Sequence, residues 1–285
     1  FLKYAIERTM GLPVASLGPS LASIYGVRFR LDRAVALAIS QSGESPDILA
    51  MARSAGEGGA LTIALTNTTP SPLSEACRCG IDIAAGPERS VAATKSFVNS
   101  VLAGLCLLAR WGGDEALGRA LDRFPDQLAD ALRLDWSSLG GVLDSSASLF
   151  VLGRGPAMAM AAESALKFKE TCGLHAESYS AAEVQHGPVE LVGSSFPVLV
   201  LAARDAAEPS VMEVAEQLAR GGVPVCATSD RAERARPLPF VATGHPLTDA
   251  LALIVPFYGF AESLSRRLGR DPDRPAHLRK VTQTL

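Results

Sequence analysis

Apolar and polar positions alternate between strand-like and helix-like patterns in the first quarter of the chain. An apolar run at residues 34–39 (AVALAI) precedes a polar loop, a helical pattern at 46–56 (PDILAMARSAG) and a second apolar run at 60–66 (ALTIALT). Two short apolar runs joined through a helix are typical of a βαβ unit with parallel strands and a right-handed crossover. The pattern therefore predicts a parallel sheet covered by helices.

The same plan returns in residues 196–230, where a fixed shift along the sequence aligns Val35 with Val198. The offset also aligns Leu37 with Val200, Ala52 with Ala215, and Gly58–Gly59 with Gly221–Gly222. A shared strand–loop–helix–strand plan indicates two similar α/β halves, although βαβ units are common enough to match by chance. The loops differ, because SQSGES in the first copy becomes ARDAAE in the second.

Two helical patterns separate the halves, at residues 96–113 and 114–134, with a Gly-Gly break at 112–113. We place the boundary near 125–140, which gives a first domain at 1–130 and a second at 131–285 with a C-terminal tail.

A third apolar run, at 147–156 (ASLFVLGRGP), opens the second half as a strand. It leads through a glycine-rich turn into a helical pattern at 159–173, which Gly173 is expected to end.

Composition excludes several classes of protein. The 285 residues include 48% hydrophobic and 20% charged ones and carry a formal charge of −3, which argues against a nucleic-acid surface. Five cysteines, an odd number, suit reduced thiols in the cytoplasm rather than disulfides, and no zinc-type spacing appears. The apolar run 251–260 (LALIVPFYGF) is too short for a membrane span and is interpreted as a buried helix. We expect no membrane association, no metal and no cofactor.

The stretch ISQSGESPDILA (39–50) places several hydroxyls between a strand and a helix. Ser45 followed by Pro46 is a helix-start signal, so a capped helix with a polar loop is one interpretation. The other is an anion site, because ligands bind at the carboxyl ends of strands in open α/β sheets and helix N-termini attract phosphate. Ser40, Gln41, Ser42 and Ser45 would then supply the donors.

A second cluster lies at residues 161–188. Glu163, Lys167 and Glu170 share one helical face, which is compatible with a solvated, salt-bridged stripe. Other titratable groups follow closely, however: His175, Glu177, Glu183 and His186. Ser180 and Glu183 have the spacing of a capping box. Proton transfer between adjacent carbons needs a carboxylate base and sugar ring opening needs a second acid/base, and Glu170 and His186 are the right residue types.

Four motifs, in order, resemble the sugar-phosphate isomerase (SIS) family, and the resemblance covers essentially the whole chain. They are SQSGES (40–45), SVAATKSF (90–97), ALKFKE with HAESYSAAEVQHGP (165–188) and DRPAHLRKVT (273–282). The likeness is to the isomerase module of glucosamine-6-phosphate synthase and to deaminases of glucosamine 6-phosphate built on that fold. It implies an α/β fold of two tandem SIS domains, each a doubly wound, Rossmann-like parallel sheet of five strands flanked by helices.

The resemblance also implies roles for individual residues. Ser40, Gln41, Ser42 and Ser45 correspond to the phosphate cradle, and Val91 and Thr94 to the wall beside the sugar. The catalytic set would be Glu170 as the base between C1 and C2, Lys167 as its charged companion, His186 as the ring-opening residue, and Lys280 as the tail lysine that reaches C1.

The chain also departs from the family pattern. Ala93 stands where the synthase-type motif has a serine, and the turn that opens the first SIS domain and the glutaminase domain are not seen in this sequence. The expected reaction is therefore deamination and isomerisation of glucosamine 6-phosphate to fructose 6-phosphate. The alternatives are the synthetic direction without an attached glutaminase, a related sugar, or a non-catalytic sugar-phosphate sensor. The resemblance further implies a homodimer in which His186 completes the partner's site.

Overall fold

The structure of the protein, a computed structural model, describes residues 1–143, 146–278 and 280. Its strands form two parallel sheets, one in each half of the chain. The first contains β1 (Val35–Ser40), β2 (Leu61–Thr66) and β3 (Cys79–Asp82), side by side in that order. The second contains β4 (Ser148–Gly153), β5 (His175–Ser180), β6 (Val198–Val200), β7 (Val225–Ala227) and β8 (Arg236–Pro237), in the order β5-β4-β6-β7-β8.

Helices flank both sheets, which confirms the α/β fold class. In the first half they are α1 (Leu2–Met10), α2 (Ser20–Ser23), α3 (Pro46–Glu57), α4 (Pro72–Ala76), α5 (Lys95–Gly112) and α6 (Glu115–Ala131). In the second they are α7 (Ser137–Leu143), α8 (Ala157–Lys167), α9 (Glu208–Arg220), α10 (Pro246–Ala252) and α11 (Ile254–Arg267).

Strand β2 shows why the first sheet is covered on both sides. Successive side chains of a strand point to opposite faces. Ala64 packs with Ala52 of α3 on one face, whereas Leu65 packs on the other, where Leu107 of α5 also lies. A strand that is buried on both faces needs a nearly continuous apolar sequence, which 60–66 has.

The first sheet has three strands in the described part of the chain, so the expectation of five strands in each half is wrong for this half. In the second half, β4 and β5 lie beyond β6, the counterpart of β1. Residues 12–17 correspond to β5 at the repeat offset, but they form no strand. The physical reason is that β5 pairs only with β4, and none of the described strands lies on the corresponding side of β1.

One large apolar core joins the two halves. It includes Leu105 of α5 and Phe124 of α6 together with Phe168 and Phe257 of the second half, all essentially inaccessible to solvent. The stretch Pro246–Arg267 has the length and hydropathy of a membrane span, but 78% of its most apolar part is buried inside the protein. The predicted burial of 251–260 is therefore confirmed, but the run is divided between the end of α10 and the start of α11 rather than forming one helix.

Candidate functional site

The serine-rich loop lies at the carboxyl end of β1, between Ser40 and the start of α3. Two of its hydroxyls organise its backbone: Ser40 Oγ accepts a hydrogen bond from the Gly43 amide, and Ser42 Oγ accepts one from the Glu44 amide, each at 3.2 Å. The Gln41 carbonyl accepts the Asn67 amide, which ties the loop to the end of β2. The loop is therefore held in a fixed turn at the edge where α/β proteins bind ligands.

Gly43 is required by the geometry of this turn. Its φ is +69°, and a Cβ at this position would lie 2.3 Å from Ser71 Oγ. Its carbonyl accepts the Leu73 amide, so the first turn of α4 packs directly on the loop. Both the left-handed backbone and the close approach favour glycine.

We expect Gly43→Ala to lower the free energy of unfolding by about 1–3 kcal/mol, because strained backbone and overpacking add at one position. Urea unfolding measures this change. Gly141→Ala is the matched control, because a Cβ there meets no atom within 4 Å. Equal stability of the two variants would show that the turn relaxes freely.

Ser45 occupies the N-cap position of α3, with Pro46 at the first helical position, as the sequence predicts. Its hydroxyl, however, accepts no hydrogen bond from the helix, so the prediction of a side-chain cap is wrong. The backbone of Ser45 (φ −61°, ψ 118°) is extended, as is usual for an N-cap residue, so the departure from a capped helix concerns only the hydroxyl. It makes no hydrogen bond among the residues that the structure describes, and it is therefore available to an anion at this edge of the sheet.

Val91 and Thr94 lie in the loop before α5. Thr94 is the N-cap of that helix, but its hydroxyl does not cap it. Instead the Glu88 carboxylate accepts hydrogen bonds from the amides of Thr94 (3.2 Å) and Ser96 (2.8 Å) and from the Ser96 hydroxyl (2.9 Å). A carboxylate at a helix N-terminus is stabilised by the free amides and by the helix dipole. Sequence reasoning missed Glu88, which holds this loop in place.

The C-terminal segment returns to the same loop. The Asp273 carbonyl accepts the Val91 amide at 3.2 Å, and the Asp273 carboxylate accepts the Ser90 hydroxyl. Lys280 Nζ donates to the Ser90 carbonyl, across 190 residues of sequence. The lysine is half-buried rather than extended into solvent. The structure therefore brings Lys280 to the Val91 loop, and the rest of 279–285 lies outside the described residues.

The second cluster is buried, not a solvated stripe. Lys167 and Glu163 are only 4% and 7% exposed. Lys167 Nζ donates to Glu170 Oε2 at 2.6 Å and lies 3.2 Å from Glu163 Oε1. Tyr258 of α11, which sequence reasoning missed, donates its hydroxyl proton to Glu163 Oε1 at 2.8 Å. Charged groups are rarely buried unless they are paired, so this face of α8 belongs to an organised internal site.

Glu170 lies in a π-helical segment, Phe168–Cys172, that continues α8 and ends at Gly173 (φ +64°), as predicted. Single π-helical turns within helices occur frequently at functional sites. The Thr171 hydroxyl donates to the Lys167 carbonyl at 2.8 Å, and the Thr171 carbonyl accepts the Ser265 hydroxyl of α11. These contacts hold the turn, and Glu170 remains partly exposed beside the buried lysine.

His186 is exposed at the end of a 3₁₀ turn, Glu183–His186, and its side chain makes no hydrogen bond within the described ranges. The predicted capping box does not form, because β5 continues through Ser180 and Ala182 precedes the turn. His175 instead pairs with Ser148 Oγ at 2.7 Å. No hydrogen bond between described residues joins His186 or the serine-rich loop to Glu170.

The loop before α5, which contains Glu88, and the cluster that contains Glu163 and Glu170 lie close enough for their charges to act on the same residue, Tyr258. Burial raises the pKa of Tyr258, and the charges of Glu163, Glu88 and Glu170 raise it further. Burial also raises the pKa of Glu163, while Lys167 and the Tyr258 hydrogen bond act in the opposite direction. The charges of Glu88 and Glu170 therefore both act on Tyr258, although the two residues come from different halves of the chain.

Comparison with known proteins identifies the family. The SIS domain profile matches residues 18–110 and again 143–235. The chain belongs to the SIS domain family. Glutamine–fructose-6-phosphate aminotransferase [isomerizing] 1 of Arabidopsis thaliana is 34% identical over 98% of the chain, and an enzyme of the same type from Thermus thermophilus is 34% identical over 98%. The chain spans 44% and 48% of those relatives, less than half of their length.

Solved structures agree with this assignment. A Silicibacter pomeroyi protein, provisionally described as a phosphosugar isomerase, superimposes with a TM-score of 0.92 at 56% identity, covering 95% of this chain and 83% of that one. The C-terminal domain of glucosamine-fructose-6-phosphate aminotransferase from Francisella tularensis shares the fold, with a TM-score of 0.87 at 23% identity over 96% of this chain and 82% of that one. The predicted resemblance to the SIS family is confirmed.

Proposed function

We propose that the chain catalyses the interconversion of glucosamine 6-phosphate and water with fructose 6-phosphate and ammonia, through proton transfer between C1 and C2. The observation that carries this proposal is the Lys167–Glu170 pair, in which the buried lysine donates from Nζ to the partly exposed Glu170 carboxylate at 2.6 Å. Relatives that share 34% identity are named as isomerising aminotransferases of fructose 6-phosphate, which supports fructose 6-phosphate as one of the two sugars. In the deaminating direction, transfer of the proton from C2 to C1 leaves an imine at C2. Water then hydrolyses this imine to the ketone of fructose 6-phosphate and releases ammonia.

Each proposed role follows from the chemistry of the side chain. Glu170 takes the proton from one carbon and returns it to the next, and Lys167 stabilises the oxygen that gains charge. His186 opens the sugar ring, and Lys280 acts at C1. Phosphate binds at Ser40, Gln41, Ser42 and Ser45, while Val91 and Thr94 contact the sugar.

The reaction is tested by incubating the protein with glucosamine 6-phosphate in D₂O and measuring ammonia, fructose 6-phosphate and deuterium at C1. We expect all three products, with deuterium partly diluted by direct transfer. The reverse reaction is followed from fructose 6-phosphate with ammonium salt. Binding of both sugars without turnover or deuterium exchange would contradict the proposal and favour a sensor.

The proposal includes the assembly and the compartment. We propose a homodimer in which His186, exposed and without a partner among the described residues, reaches the site of the other subunit. We propose that the first domain ends at residue 130 and the second begins at residue 131. The five cysteines are free thiols, which suits a protein of the cytoplasm. Sedimentation tests the dimer, because a stable and fully active monomer would contradict it.

We expect Ser42→Ala and Ser45→Ala to weaken binding of fructose 6-phosphate about tenfold each, since a hydrogen bond to a charged group contributes roughly 1.5–3 kcal/mol. The loss of α3 stability should be small, because the Ser45 hydroxyl does not cap the helix. Calorimetric titration measures the affinity. Ser194→Ala, at an exposed serine, is the matched control. Equal loss of affinity for unphosphorylated fructose would contradict a phosphate site.

A further inference from the structure

Tyr258 and Glu163 form a hydrogen-bonded support behind the Lys167–Glu170 pair. The Tyr258 hydroxyl donates to Glu163 Oε1 at 2.8 Å, and the same oxygen lies 3.2 Å from Lys167 Nζ. Lys167 Nζ in turn donates to Glu170 Oε2 at 2.6 Å. A continuous chain of polar contacts therefore runs from α11 through α8 to the π-helical segment.

Negative charge exceeds positive charge in this series of contacts, because the two carboxylates of Glu163 and Glu170 share the one ammonium group of Lys167. The groups that face Glu163 are Lys167 from α8, Glu170 from the π-helical segment and Tyr258 from α11, and Glu88 adds its charge at Tyr258 from the loop before α5. Burial raises the pKa of Glu163, so its ionised form depends on the donors that remain. The pKa of Tyr258 is also raised, which keeps its hydroxyl protonated and able to donate.

We propose that Tyr258 is a positioning residue for the proton transfer: its hydrogen bond keeps Glu163 ionised, so that Lys167 remains shared between Glu163 and Glu170. This inference rests on the proposed function, in which Glu170 is the base. Tyr258 and Glu163 neither gain nor lose a proton during turnover. The proton removed from the sugar carbon is held by Glu170 and returned to the neighbouring carbon.

The sharing of Lys167 decides how firmly its ammonium group is held on Glu170. When Glu163 is ionised, it competes for the ammonium group, which lies 3.2 Å from Glu163 Oε1 and 2.6 Å from Glu170 Oε2. When Glu163 is protonated, the ammonium interacts with Glu170 alone, and this carboxylate is less available to take the proton from carbon. A donor that keeps Glu163 ionised therefore keeps Glu170 available as the base.

Tyr258→Phe removes only the donor. We expect kcat to fall about tenfold, the scale of one hydrogen bond to a charged group, with KM changed less than about twofold. Glu163→Gln should give a similar loss, and the double variant should be little worse than either single variant, because both act through the same contact. Tyr25→Phe and Glu262→Gln are matched controls at exposed positions, and both should retain full kcat.

A second readout does not depend on turnover. In protein labelled with ¹³C at glutamate side-chain carboxyl carbons, the Glu163 signal is assigned by its loss in Glu163→Gln. We expect its titration midpoint to rise in Tyr258→Phe, since a donor to the charged form is removed. In the unmodified protein kcat should fall as pH decreases through this midpoint, and Glu163→Gln should lack that step.

The outcomes separate the inference from the function on which it rests. An unchanged Glu163 midpoint in Tyr258→Phe overturns the inference whether or not the protein turns over substrate. A raised midpoint with full kcat, or a lower melting temperature with full kcat, shows that the contact is only structural and also overturns it. If the unmodified protein shows no turnover or deuterium exchange, the proposed reaction fails and the positioning role fails with it, while the midpoint still reports the coupling.

Discussion

Replacing Glu170 by glutamine is expected to lower kcat by roughly a hundredfold or more, the scale on which general-base catalysis contributes. The amide keeps the shape of the side chain and can still accept a hydrogen bond from Lys167 Nζ, which donates to Glu170 Oε2 at 2.6 Å in the structure. It cannot accept a proton from carbon. Steady-state kinetics with glucosamine 6-phosphate, together with deuterium exchange into fructose 6-phosphate, measures the loss.

The affinity for fructose 6-phosphate should change little in Glu170→Gln, because phosphate binding is assigned to the loop at 40–45. Glu213→Gln makes the same chemical change at an exposed position of α9 and is expected to be fully active. Undiminished exchange in Glu170→Gln would show that another group is the base. Lost affinity together with lost kcat would instead show that Lys167, left with Glu163 as its carboxylate partner, had disturbed the site.

The βαβ repeat could be predicted from the sequence because apolar periodicity is a local property. Residues 34–39 and 60–66 each gave one strand, and the parallel register of β1 and β2 follows from the helix between them. The number of strands in the first sheet could not be predicted in the same way. A strand at 12–17 requires a hydrogen-bonded neighbour, and the repeat pattern alone does not supply one.

The candidate site was predictable where residue type was decisive, and not where burial was. The spacing of Glu163, Lys167 and Glu170 is typical of an exposed, ion-paired helix face. In the structure, however, α11 packs against α8 and leaves Lys167 only 4% exposed, which the spacing does not reveal. Tyr258 lies 95 residues from Glu163 in sequence, so no local pattern connects them. Glu88 caps α5 from eight residues before Ser96, outside the spacing of a capping box.

The C-terminal lysine provides the other large expected effect. Removing residues 279–285, or replacing Lys280 by methionine, should lower kcat by roughly a hundredfold or more, the scale of losing one group that stabilises developing charge. The physical reason is that Lys280 is held at the Ser90 carbonyl, beside Val91, by a segment that Asp273 also anchors to this loop. Chain ends are otherwise the regions where proteins tolerate change best.

Arg274→Met is the matched control for Lys280→Met, because it removes a positive charge from an exposed position of the same segment. It should be active, whereas Lys280→Met should keep its melting temperature and most of its affinity for fructose 6-phosphate. Ser90→Ala keeps the carbonyl that Lys280 contacts and removes only the hydroxyl bonded to Asp273. An intermediate loss of kcat in Ser90→Ala would show that Asp273 positions the lysine. A fully active truncated protein would mean that the tail is an ordinary chain end and that C1 is handled by another group.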